Sequence, residues 1–106
     1  MEKWYTESVE KLFRAILTLK TEEECRSFFE DVCTVKEMQE IAQRLDVAAM
    51  LSQKKVYNEI ARETGASTAT ISRVNRCLSY GSGGYELVLK RLEQTENKDE
   101  KTNGQL

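Results

Sequence analysis

The chain has 106 residues, 32% of them charged, a net charge of −2, and neither histidine nor proline. That length fits one domain, and the sequence shows neither an apolar stretch long enough to span a bilayer nor a leader segment, so a cytoplasmic protein without membrane contact is predicted. Lack of histidine, of paired carboxylates, of a glycine-rich phosphate loop and of cysteine-ligand spacing argues against an enzyme, a bound metal or a cofactor.

In chain order, Val9, Leu12, Phe13, Ile16 and Leu17 recur at helical spacing and predict a first helix over about residues 6–20. Thr21 and Glu24 have the spacing of a capping box and open a second helix with the stripe Cys25, Phe28, Phe29, Val32 and Cys33. Thr34 and Glu37 repeat that signal for a third helix, which reaches about residue 53. Its stripe is Met38, Ile41, Ala42, Leu45 and Ala49, with Val47, Met50 and Leu51 off it. Two shorter helices follow within residues 56–78, then a flexible joint at Gly81, Ser82, Gly83 and Gly84. A last helix over about residues 85–94 presents Leu87, Val88 and Leu92, and the polar stretch 95–106 reads as a disordered tail. The expectation is thus an all-α domain of about six helices over residues 1–94. Cys25, Cys33 and Cys77 cannot all pair within one chain, and each lies on an apolar stripe, which predicts buried reduced thiols. Three strongly amphipathic helices precede the short pair. One small domain has little interior for them, so a second copy is the expected partner, with a compact monomeric bundle as the alternative.

Residues 56–78, VYNEIARETGASTATISRVNRCL, constrain function most tightly. Ile60 and Ala61 give a short helix an inner face, and Gly65 stands where the chain must turn with positive φ. Ser67 offers a cap to a second helix whose inner face is Ile71 and Val74, continued by Cys77 or Leu78. This is the pattern of a helix-turn-helix with its recognition helix over about residues 67–78. Ser67, Thr68, Ala69, Thr70 and Ser72 are small enough to approach base edges. Arg73 and Arg76 are long donors for phosphates or guanines, and Lys54, Lys55 and Asn58 flank or lie on the first helix. Charge agrees: residues 54–78 carry +3, against −4 before them and −1 after. The bland alternative is a helical hairpin used for protein–protein interaction.

The chain resembles the Trp repressor family, and within it the YerC/YecD-type regulators, over about residues 9–93. The likeness is greatest in GASTATISRVNRCL, residues 65–78, and IAQRLDVA, residues 41–48. It implies an intertwined all-helical homodimer that presents two recognition helices to double-stranded DNA and regulates transcription, most simply as a repressor. It also implies an effector pocket at Thr34, Arg44, Arg73, Val74 and Cys77. Thr34 and the two arginines match that family's tryptophan site; Val74 stands in place of a glycine and Cys77 in place of a serine. The added volume and the lost hydroxyl disfavour tryptophan and leave another effector, or none, open. Asn58 and Ala61 stand where that family has basic residues, which implies a different operator.

Overall fold

A computed structural model describes residues 3–104, with side chains described for residues 3–97. Among the described residues there are six helices and no strands: α1 Glu7–Ile16, α2 Glu22–Val32, α3 Val35–Ser52, α4 Tyr57–Thr64, α5 Thr68–Tyr80 and α6 Gly84–Gly104. The all-α expectation holds. No described helix is long and apolar enough to cross a membrane. The chain forms two compact units that divide between Gln39 and Glu40, within α3.

The first unit is organised by its caps. Thr6 accepts a hydrogen bond from the Val9 amide at 3.2 Å and starts α1. Past Ile16 the chain tightens, with Thr18 N donating to Ala15 O and Leu19 N to Ile16 O at 3.1 Å each, so the helix ends before the expected residue 20. Thr21 caps α2 by accepting from Glu24 N at 3.1 Å, while the Glu24 carboxylate accepts from Lys20 N at 2.8 Å, one residue before the reciprocal partner. At α3 the box is complete: Glu37 N donates to Thr34 Oγ1 at 3.1 Å and Thr34 N donates to Glu37 Oε1 at 2.9 Å. The Thr34 amide, and after it the Thr34 hydroxyl, hold the Glu37 carboxyl below its ordinary pKa by hydrogen bonding to it.

Good capping is not matched by burial. Neither α1 nor α2 has a buried residue. Leu17 is 83% exposed and Val35 74%. Phe28 and Phe29, half-buried, pack edge to face at 5.3 Å. The prediction of buried thiols is corrected within the chain: Cys25 and Cys77 are exposed, Cys33 is half-buried, and all three are free. The stripe that carries Cys25 and Cys33 is at most half-buried among the described residues.

The second unit holds the buried cluster, Val47, Ala48, Met50, Ile60, Ala66, Ile71 and Val74. Leu51, Tyr57, Ala61, Leu78, Tyr85 and Leu89 pack around it. The residues of α3 that lie off its expected stripe are the ones that enter this core, whereas Ile41 stays 43% exposed and Leu45 half-buried. The helix therefore has two apolar sides, and among the described residues the side with Val47 and Met50 is the more fully buried. α3 ends in a Schellman motif: Lys55 N donates to Met50 O at 3.1 Å and Lys54 N to Leu51 O at 2.9 Å, with Lys54 at φ +64.

α6 runs on to Gly104, past the expected end near residue 94. Polarity alone suggested a disordered tail there, but glutamate, glutamine and lysine are good helix formers and no glycine interrupts residues 85–103. The final two residues of the expected tail lie outside the described residues.

Candidate nucleic-acid interface

α4 and α5 form the short helical pair that the sequence indicates. α4 is eight residues long and begins at Val56, which makes no side-chain cap bond. It ends at Gly65 with φ 74 and ψ 5, the left-handed conformation in which any side chain costs energy. Gly65 N donates to Ala61 O at 2.9 Å. Thr64 completes the turn by donating its hydroxyl to Ile60 O at 2.7 Å and accepting from Ala66 N at 3.1 Å. Ala66 is buried, and Ser67 starts α5 by accepting from Thr70 N at 3.1 Å. The Gly65 and Ala66 amides that redirect the chain between the helices are therefore both partnered. Ile60, Ile71 and Val74, each at most 1% exposed, lock the two helices together from inside.

Two residues that the sequence did not single out hold this turn. Thr64 is one. Gln43 is the other: its Nε2 on α3 donates to Thr64 O at 3.1 Å and ties the end of α4 to the long helix. A glutamine inside an amphipathic helix gives no sequence signal of such a tether.

With Ile71 and Val74 inward, Thr68, Ala69, Ser72, Arg73 and Arg76 fall on the opposite, exposed side of α5. Thr70 is half-buried, and its hydroxyl accepts a hydrogen bond from Ser67 Oγ at 3.0 Å. Ser67 and Thr70 are thus bonded to each other at the cap, while Thr68 and Ser72 make no side-chain hydrogen bond among the described residues. Asn58 is exposed on α4. The two lysines differ. Lys55 lies 3.6 Å from Glu63 of α4, and Lys54 is exposed with no acidic partner among the described residues. Tyr80, 85% exposed, follows Arg76 at helical spacing on the same face and was not anticipated. Its i, i+4 spacing from Arg76 was the available signal.

The Trp repressor protein family model matches residues 7–93 of this chain. The chain belongs to the Trp repressor family. It is 51% identical over 98 residues to an uncharacterised protein, YerC of Bacillus subtilis, with 92% of this chain and 94% of YerC covered. Among solved structures, a TrpR-like protein from Eubacterium eligens matches at a TM-score of 0.82 and 55% identity over 86% of this chain and 94% of its own. A putative Trp repressor from Staphylococcus aureus matches at a TM-score of 0.82 and 49% identity over 86% and 91%.

Of the residues named for a family-type effector pocket, two in the second unit border one groove. Arg44 of α3, half-buried, and Cys77 of α5 border an open groove with Leu45, Tyr85 and Val88. Arg73 is exposed and does not line it. Val74 is turned into the core at 1% exposure, so its volume fills the helix-turn-helix interior rather than the groove. Thr34 belongs to the first unit, where its hydroxyl is the α3 cap.

Proposed function

We propose that this member of the Trp repressor family is a homodimeric, sequence-specific DNA-binding transcriptional regulator that acts as a repressor by occupying its operator. The observation that carries the reading is the α4–α5 pair. Its turn is held by hydrogen bonds at the Gly65 and Ala66 amides around a left-handed Gly65, its interior is sealed by Ile60, Ile71 and Val74, and its outer face offers small residues beside two arginines. In a helix-turn-helix the second helix enters the major groove by its N-terminal residues. Thr68, Ala69 and Ser72 are then the base-facing set, while Arg73 and Arg76 supply charge for phosphates or guanine edges. The family is one of regulators, and nothing in this reading requires catalysis.

Dimerisation is supported by what the chain leaves uncovered. The apolar stripes of α1 and α2, together with the side of α3 that carries Ile41, need a second surface, and two identical half-heads would double the sequence read. Such a dimer sits in the cytoplasm with its DNA, and tryptophan is not its effector in this reading, because Cys77, in place of the family's serine, borders the groove beside Arg44.

The test is a fluorescence-anisotropy titration of duplex DNA with the full chain and with Arg73→Ala and Arg76→Ala at two salt concentrations. A phosphate-contacting arginine should weaken all sequences alike and lower the salt slope by about 1. A base-reading arginine should cost about 1–3 kcal/mol on the preferred site alone. Unchanged binding in both variants rules out this face. Genome-wide binding of the tagged protein supplies the operator.

A further inference from the structure

We infer that Lys54 is a dedicated DNA-backbone contact, held in a strained conformation just ahead of the helix-turn-helix so that its ammonium meets a phosphate. The inference rests on the DNA-binding reading and assigns a specific role at its edge.

The backbone provides the first observation. The described residues include three with positive φ: Gly65 at +74, Gly83 at +81 and Lys54 at +64. Two are glycine, the residue that adopts this region without a steric penalty. Lys54 is the exception, at the C′ position of a Schellman motif where glycine is the usual occupant. A long unbranched side chain gains nothing from that conformation, and a strained residue persists where the side chain has a task.

The second observation excludes a structural task. Lys54 is exposed, so its side chain fills no space in the core. It makes no ion pair among the described residues, whereas the adjacent Lys55 is drawn to Glu63 of α4 at 3.6 Å. The pair Lys54–Lys55 therefore has two functions. Lys55 ties the α3–α4 turn to α4, and Lys54 is left with an uncompensated charge.

The third observation is position. Lys54 lies two residues before the α4 N-cap, Val56. In helix-turn-helix complexes the first helix crosses the sugar–phosphate backbone while the second reads bases. A cation at the entrance to α4 meets phosphates rather than base edges, so its effect is independent of sequence and dependent on salt.

The strain gives this inference a test with opposite signs in two measurements. Lys54→Gly removes both the strain and the charge. It should raise the melting temperature by a few degrees. It should also weaken binding equally to operator and unrelated duplex, and lower the slope of log K against log salt by about 0.9. Lys54→Arg should keep the wild-type slope, and Lys54→Ala should lower it by the same amount without the gain in melting temperature. A Lys54→Gly protein with the wild-type slope, or with a lower melting temperature, overturns the inference. If the wild-type chain binds no duplex with measurable salt dependence, the DNA-binding reading fails and takes this role with it. If the wild type binds and only the Lys54 series is silent, the DNA-binding reading stands and Lys54 has no part in it.

Discussion

Gly65→Ala tests whether the turn between α4 and α5 is a matter of backbone conformation or of space. A Cβ built at Gly65 would come no closer than 4.0 Å to Gln43 Nε2, an ordinary contact, so sterics contribute nothing. What remains is the cost of placing an L-residue at φ +74, about 1–2 kcal/mol. Alanine returns part of that, about 0.4–1 kcal/mol, by restricting the unfolded chain. The net loss should be about 1 kcal/mol. In urea denaturation followed by circular dichroism, at one protein concentration, the midpoint should fall by roughly 0.3–1 M with an unchanged slope. Gly65→Asn should recover part of the loss, since asparagine tolerates this region. Because domains of this kind are stable by about 5–15 kcal/mol, the folded fraction and hence DNA affinity should hardly change. Gly81 provides the contrast. Its φ of −84 suits any residue, but a Cβ there would run into the Cys77 carbonyl oxygen and lie 3.1 Å from the carbonyl carbon. Gly81→Asn should therefore gain nothing over Gly81→Ala. A Gly65→Ala loss above about 3 kcal/mol, or none at all, would refute this division between conformation and space.

Two other outcomes follow from the same geometry. Phe28→Ala and Phe29→Ala should shift sedimentation toward monomer, with a cost approaching the 3–5 kcal/mol of a buried ring if the dimer covers it; a wild-type chain that sediments as a stable monomer at micromolar concentration would end the dimer reading. Calorimetry with millimolar tryptophan should show little heat and DNA affinity should not respond, while Cys77→Ser is the informative variant because Val74 is committed to the core. Tight binding coupled to stronger DNA affinity would reverse that conclusion.

The helix order and the turn chemistry were legible because they depend on local signals. Thr21, Thr34 and Ser67 each cap the helix that their spacing indicated, and Gly65 takes the left-handed conformation required of it. The sequence was weaker on which face of a helix meets what. On α3 the regular stripe suggested one core, yet Val47 and Met50 off that stripe are buried while Ile41 on it is not. Periodicity marks apolar sides without saying whether the partner is this chain or another. The cysteines were misplaced for the same reason. The pocket residues were located from a resemblance, whereas the inward position of Val74 was legible from the periodicity of α5 and is met by its burial. Helix α6 outran its expected end because solubility of a segment says little about its backbone.

The hydrogen bond between the Ser67 and Thr70 hydroxyls also bears on how such a protein changes its target. The start of α5 is assigned to those two side chains. Thr68, Ala69 and Ser72 lie exposed beside them and contribute nothing to the core or the cap. A substitution at any of these three changes the outer face of α5 while the fold beneath it keeps its interior and its helix start. If that face reads DNA as proposed, its preference can be altered one residue at a time, with each intermediate still folded.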